Sequence, residues 1–469
     1  MTFRVLSSLL IMLMCITQTP CTAEEDLFEE DNRAEWPERS ELPLDGENYD
    51  EESTEPSSPT STNLDVLGEQ EATVDEIIPI GDENACTVSV TGDVRSYIQS
   101  YTESVNGIAR RGHGAKDCAG RLSPARTFDI EANLIFEYKC DKSWALVQLQ
   151  FDNPAGVKES TRTVKELNAS GAPECQTQAV CGPFGSGRCD VLCLKKAFWG
   201  WNICKQDKTR FDVEIGRRRL YHVFDSVIQF NAIFDGILFR YATEWAGQNI
   251  YCNAGALVVD YLADHYAYVA EAGMKNICEG KFDLKYSLIH WQKKGENRAG
   301  IHDPCGWRSI NSQITFAYRP SIDCLGVPVR FYGAYLYNHA AEGQPYTKNR
   351  KLNNAFYVGV SLGEVSKAGE WALDMNYQWV QAQAIADPDV NGIGRGNVLR
   401  TVISQNSTFY TPKLAAGNAN YKGAKFEFLY AWTDSIQIDT LFEFSRAINP
   451  SIGGKLNYNR MKMELIFAF

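Results

Sequence analysis

The last ten residues, RMKMELIFAF from 460 to 469, alternate with a period of two. Met461, Met463, Leu465, Phe467 and Phe469 take one set of positions, and Arg460, Lys462, Glu464, Ile466 and Ala468 take the other. Successive side chains of a strand point to opposite faces, so one face here is wholly apolar and the other carries three charges. The design recurs upstream. KFEFLYAWTDSIQIDTLFEF sets Phe426, Phe428, Tyr430 and Trp432 against Glu427, turns at Thr433-Asp434-Ser435, and resumes with Ile436, Ile438, Thr440, Phe442 and Phe444 against Gln437, Asp439 and Glu443. EWALDMNYQW and TFDIEANLIFEYK repeat it, and helical spacing is poor throughout.

Continued along the chain, the alternation predicts sixteen strands near 87–101, 126–139, 143–152, 194–204, 209–217, 233–245, 248–258, 266–275, 281–292, 309–318, 326–340, 351–363, 370–384, 421–432, 435–446 and 456–469. Connections after odd strands are long, as at 102–125, 153–193, 218–232, 293–308 and 385–420. Those after even strands are tight, as at 140–142, Ala246-Gly247 and 433–435. A soluble β-sandwich would also alternate, but it has no reason to confine long loops to one rim. Apolar faces that meet lipid and polar faces that meet a watery interior account for both patterns, and hydrocarbon forbids an open sheet edge. The fold class expected is all-β: a transmembrane antiparallel β-barrel of about 16 strands, with long extracellular loops and short periplasmic turns. Trp371, Trp379, Tyr430 and Trp432 near strand ends suit interfacial girdles.

Three segments are expected. Residues 1–23 read as a secretory signal peptide: Arg4, the apolar run Val5 to Ile16, and Cys21-Thr22-Ala23 as the processing site. Residues 24–85 hold 22 Asp or Glu against Arg33 and Arg39, with prolines at 37, 43, 56, 59 and 79 and few large apolar residues. Such a stretch buries too little to offset its ordering entropy, and it reads as a disordered spacer or as a docking tail for a basic partner. Residues 86–469 are the barrel, and the chain's net charge of −13 masks a slight basic excess there. No run of 18 apolar residues follows the signal, which excludes a membrane-spanning helix.

Twelve cysteines follow the signal, an even number that suits disulfides in an exported protein. The disulfide candidates are Cys86, Cys118, Cys140, Cys175, Cys181, Cys189, Cys193, Cys204, Cys278, Cys305 and Cys324. Cys252 alternates with Ile250 and Ala254 and is expected to face lipid as a free thiol. Cys86, Cys140, Cys204, Cys278 and Cys324 gather at the rim of tight turns. Turn cysteines on different hairpins are often too far apart to bridge, so both intramolecular pairing and cross-links to other envelope proteins stay open. No paired CxxC or CxxH spacing supports zinc, and no metal or other cofactor is expected.

A barrel of this size encloses water, which points to passive diffusion with selectivity set by charges at the narrowest point. The first candidate for that point is GRRRLYHVFDS, in which Arg217, Arg218 and Arg219 would give a positive constriction and a weak anion preference if the 218–232 connection folds inward. The alternative is a solvated strand end. Asp235, Arg240 and Glu244 are further pore-lining candidates. The six histidines are scattered without HExxH spacing, no G-x-S-x-G occurs, and GIGRG at 392–396 reads as a loop rather than a phosphate cradle, so no enzyme is expected.

EIGRRRLYHVFDSVIQFNAIFDGILFRY, WALDMNYQWVQAQAIADPDVNGIG and NYKGAKFEFLYAWTDSIQI resemble a porin family of Gram-negative outer-membrane barrels. The cysteine richness and acidic extension resemble its chlamydial branch, whose envelope is held together by disulfides. The resemblance spans roughly residues 86–469 and implies a porin whose C-terminal aromatics, Phe467 and Phe469, signal assembly to the barrel-insertion machinery. It also implies an outer-membrane location with lipid around the barrel, small solutes as cargo, a homotrimer as one assembly state, and no nucleic acid. The cysteine-rich 153–193 insertion and the 385–420 connection depart from the family pattern. A disulfide-cross-linked structural or adhesive envelope barrel is the competing function.

Overall fold

The computed structural model describes residues 86–115, 122, 126–154, 161–167, 173–179, 191–206, 208–245, 247–260, 265–293, 309–322, 326–343, 347–386, 389–396, 419–452 and 454–469. The expected signal and acidic segments lie outside these residues. Nineteen strands follow in order: β1 (Thr87–Val105), β2 (Ile108–Gly112), β3 (Arg126–Lys139), β4 (Ser143–Pro154), β5 (Thr161–Leu167), β6 (Pro173–Ala179), β7 (Val191–Gln206), β8 (Thr209–Arg219), β9 (Ile233–Trp245), β10 (Gln248–Asp260), β11 (His265–Asn276), β12 (Phe282–Lys293), β13 (Ser309–Tyr318), β14 (Val329–Asn338), β15 (Asn354–Gly363), β16 (Trp371–Val380), β17 (Tyr421–Ala431), β18 (Ile436–Ala447) and β19 (Leu456–Ala468).

Sixteen of them close a barrel. β1 pairs antiparallel with β3, β3 with β4, β4 with β7 and β7 with β8, and each later strand pairs with the next. The ring shuts where β19 pairs with β1, from Asp93 opposite Ala468 to Val105 opposite Leu456. Every expected strand has its counterpart. β2 is a short addition on the upper part of β1, and β5–β6 form a separate hairpin within the expected 153–193 connection.

The burial pattern is inverted relative to a soluble protein. In β19 Lys462 and Glu464 are each 1% exposed, while Met463 is 52% and Phe467 is 47% exposed. The same inversion runs through β3, β17 and β18, where Asp129, Glu131, Lys425, Glu427 and Glu443 are buried and Phe128, Ile130, Phe426, Phe428 and Phe444 are exposed. Apolar residues thus cover the outside, as lipid demands, and closure leaves no unpaired strand edge within the ring.

At the tight-turn rim, Phe469 N donates to Gly92 O and Gly92 N to Phe469 O, both at 3.0 Å, so the final residue completes the closure. A Cβ on Gly92 would lie 2.5 Å from Asn133 O and 2.8 Å from the Phe469 ring, which explains a residue without a side chain there. Cys86 and Cys140 form a disulfide at this rim. β1 and β3 are neighbours, with Thr87 opposite Lys139, so these two turn-rim cysteines meet the distance condition that the others need not.

The expected strand 370–384 ends early, at Val380. Beyond it, side chains join the backbone in the pairing: Gln381 N donates to Asn354 O at 3.1 Å while Gln381 Oε1 accepts from Asn354 N at 2.9 Å, and Gln383 N donates to Leu352 O at 2.7 Å while Gln383 Oε1 accepts from Leu352 N at 3.0 Å. The chain leaves the wall at this point and turns inward.

Candidate functional site

Among the described residues, two connections enter the barrel. Leu220, Phe224, Ile228 and Phe230, all 0% exposed, belong to a segment that leaves β8 through a short 3-10 turn at Leu220–His222. Leu220, Phe224 and Phe230 pack on inward-facing Leu238, Leu257, Val269, Ile289 and Trp291 of β9–β12. The second segment, 381–396, lays Ala384, Ile385, Val390 and Ile393 on Tyr332, Leu336, Tyr357 and Tyr421 of β14, β15 and β17. Each fully buried Leu, Ile or Phe contributes about 1.5–3 kcal/mol of transfer free energy. Several such side chains are enough to hold each segment inside.

The tip of the first segment bonds β11–β13 of the same wall. Asp225 Oδ2 lies 2.5 Å from Lys285 Nζ, and Asp225 N donates to Glu271 Oε2 at 3.3 Å. Gln313 closes a ring of bonds, accepting from Ser226 Oγ at 2.7 Å and donating through Nε2 to Asp225 O at 2.9 Å. Burial works against the charge on Asp225, but Lys285 and then Arg330 outweigh it and hold the carboxyl down at about 2.

The two segments also bond each other. Asn391 N donates to Ile228 O at 2.9 Å and Asn231 N to Asp389 O at 3.2 Å. Gln229 Nε2 donates to Asp389 Oδ2 at 3.0 Å, and Ala232 N approaches Oδ1 at 3.4 Å. GIGRG at 392–396 lies in this inward segment, with a helical turn at Ile393–Gly396, and Ile393 N donates to Gln378 Oε1 at 3.1 Å.

The pore-lining candidates separate by strand parity. Arg217 shares the outward face of β8 with Val213 and Ile215, and Asp235 shares the outward face of β9 with Ile233 and Ile237. They pair opposite each other at 2.7 Å, exposed on the outer surface. Both therefore correct the expectation of a lumenal position, since an odd step along a strand reverses the face. Arg218 points inward beside Glu214 and stacks on the Phe198 ring at 4.6 Å. Arg240 also reaches Glu214, at 3.2 Å. Arg219, 5% exposed, lies over the Tyr221 ring at 5.7 Å. Glu244 pairs with Lys208 at the turn rim, 3.0 Å away. The inward fold of the 218–232 connection is therefore real, but Asp225 and Ser226, not the arginines, stand at its tip.

The wall from β16 through β19 to β1 and β3 carries a different lining. Inward-facing Asp374, Glu427, Asp439, Glu443, Glu464, Asp93, Glu103, Asp129, Glu131 and Glu137 face Lys425, Arg460, Lys462, Arg95 and Lys139. Lys425 lies 3.3 Å from Glu427, Arg460 3.7 Å from Glu443, Arg95 2.7 Å from Asp93, and Lys462 bonds Glu464. Among the described residues this wall has twice as many carboxylates as cations.

Cys193, Cys204, Cys252 and Cys278 are unpaired, and Cys252 faces outward as its alternation predicts. Cys118, Cys181, Cys189, Cys305 and Cys324 lie outside the described residues, and the side chain of Cys175 does too. Among the described residues no group of His, Cys, Asp or Glu could hold a metal ion.

The alternation missed the inner residues that bind the loops: Asp225, Gln229, Lys285, Gln313 and Asp389. A signal for their segments exists in VFDSVIQF and AIADPDV, where apolar residues crowd connections that solvent alone would not favour.

No known protein family matches the chain, and no curated protein matches it. Among solved structures, the high-pH structure of Pseudomonas putida OprB aligns over 81% of this chain and 94% of that one, at 9% identity and a TM-score of 0.47. The low-pH structure of the same protein covers 81% and 92%, at 9% identity and a TM-score of 0.42. A triple mutant of the Rhodopseudomonas blastica porin covers 82% of this chain and all of that one, at 9% identity and a TM-score of 0.40. At such values the barrel architecture rests on this chain's own strand pairing.

Proposed function

We propose that the chain is an outer-membrane porin that lets small hydrophilic solutes diffuse passively through its interior. The observation that carries this reading is the inverted wall: a closed sixteen-strand ring with apolar side chains outside and charged ones inside. Two inward segments supply the constriction that gives such a conduit its selectivity.

The anion preference expected from Arg217, Arg218 and Arg219 loses part of its support, because Arg217 faces outward and Arg218 pairs with Glu214, a carboxylate it shares with Arg240. The carboxylate excess on the β16–β3 wall favours cations instead. The experiment is single-channel conductance of refolded residues 24–469 in a planar bilayer, with reversal potential under a salt gradient. Stable open steps with a cation-leaning reversal potential support the reading. A correctly folded barrel that never conducts sinks it.

Surrounding lipid, insertion through a machinery that reads Phe467 and Phe469, and a homotrimeric state belong to the same proposal. The second reading, a cross-linked envelope barrel, is favoured by unpaired Cys204 and Cys278 near the tight-turn rim that carries the Cys86–Cys140 bridge. An electrophoretic monomer band that thiols leave unchanged in freshly isolated envelopes removes it.

A further inference from the structure

Asp389 stands at the joint between the two inward segments and has no function in simple diffusion. It is 0% exposed, and its carboxylate is met from the opposite segment by neutral donors alone: the Gln229 side chain and the backbone N–H of Ala232 and Phe230. A buried carboxylate without a cation is costly in its charged form. Beside it the joint contains two oxygen atoms that accept no hydrogen bond, Gln229 Oε1 and Asn231 Oδ1. An ionised Asp389 can donate nothing to them, whereas a protonated one carries an O–H that Gln229 Oε1, on the amide already bonded to this carboxyl, can accept. The link is also under backbone tension, because Phe230, between those two residues, has φ +71°, a conformation that side chains other than glycine rarely adopt.

We infer that Asp389 is a proton-operated latch: neutral, it fastens the 381–396 segment to the 220–232 segment across the channel interior, and ionised, it lets them part. This regulation rests on the porin reading above. Burial moves the Asp389 carboxyl up to about 7, with Gln229 and the two backbone donors opposing only in part.

The other titratable groups described on the packed elements have partners of their own, and one of them, Glu271, bonds the 220–232 segment directly by accepting from Asp225 N at 3.3 Å. Asp225, on the partner segment, is held by Lys285, and Tyr221 packs under Arg219. On the wall behind, Tyr421 donates to Gln378 and Glu271 accepts from Tyr251. No charged side chain among the described residues contributes to the position of the Asp389 carboxyl.

The sign follows from linkage. The joined state holds the proton more tightly than the parted state, where the carboxyl returns to its ordinary value near 4. The joint is strongest below that value. Its opening constant rises about tenfold per pH unit from about 4 to about 7, and it is level above.

The test is amide hydrogen exchange of the full folded barrel between pH 4 and 8, normalised to strand amides and corrected for intrinsic rate. Wild type is expected to lose protection at 228–232 and 389–393 by at least a hundredfold over that range. Asp389→Asn, which stays neutral, is expected to give a flat profile. A flat wild-type profile overturns the latch, and so does an equal slope in wild type and Asp389→Asn. The wild-type titration needs no variant to fold. Conductance recorded in parallel separates the two claims: a silent barrel with the pH-dependent profile keeps the latch and removes the porin, and a conducting barrel with a flat profile does the reverse.

Discussion

The wall formed by β16–β19, β1 and β3 and the wall formed by β9–β14 enclose the same interior with opposite chemistry. The first is lined by ion pairs such as Lys462–Glu464 and Lys425–Glu427. The second sets Leu238, Leu257, Val269, Ile289, Trp291 and Leu336 around a few polar anchors, Glu271, Lys285 and Gln313, and covers them with the two inward segments. A polar lining needs only partners along the wall, as at Lys462, whereas an apolar lining needs a lid. The two segments sit where they do because these apolar side chains cannot face water uncovered.

Breaking one partner on the charged wall gives the largest expected effect. Lys462→Met takes from buried Glu464 its directly bonded partner, leaving only the longer-range attraction of Arg95 and Arg460, and costs about 3–4 kcal/mol in urea unfolding, while Lys462→Met with Glu464→Leu is about neutral. Equal losses in the single and double variants would show that packing, not charge, holds this wall.

On the apolar wall, Phe224→Ala removes a ring that packs 5.5 Å from Phe230 and costs the seating of the 220–232 segment about 3 kcal/mol. Hydrogen exchange should show the segment loosened while the barrel keeps its heat-modifiable electrophoretic shift.

Asp225→Asn releases the tip from Lys285 and weakens the same seating by about 2 kcal/mol. Since Asp225 is held at about 2, below its ordinary value near 4, its contribution is whole above about 4 and is lost as pH falls through about 2. Exchange at 224–227 in acid reads this directly, with a sign opposite to that of Asp389.

The smallest effect belongs to the outer surface. Arg217→Ala breaks an exposed pair with Asp235, costs under about 1 kcal/mol, and leaves the reversal potential unchanged. A shifted reversal potential would return Arg217 to the permeation path.

Strand positions were legible because lipid on one side and polar partners on the other impose a period of two, clearest in Arg460–Phe469 and Lys425–Trp432. The β9–β14 wall was legible as strands but not as a lining: AYVAEAGM at 267–274 is nearly apolar on both faces, and only the seated Phe224 and Phe230 explain why. Arg217–Arg219 show the limit of reading a motif by composition, since Arg217 faces outward, Arg218 faces inward to Glu214, and Arg219 is buried over Tyr221.

Alone, the sequence determined the all-β barrel, its sixteen staves and which face of each is apolar, because each of these follows from side-chain alternation and local turn chemistry. The inward course of 220–232 and 381–396, the pairing of Asp225 with Lys285, the Cys86–Cys140 bridge and the joint at Asp389 were decided by tertiary structure. Asp389 and Gln229 are 160 residues apart, and contacts at that separation exist only once the ring has closed and brought its long loops into one interior.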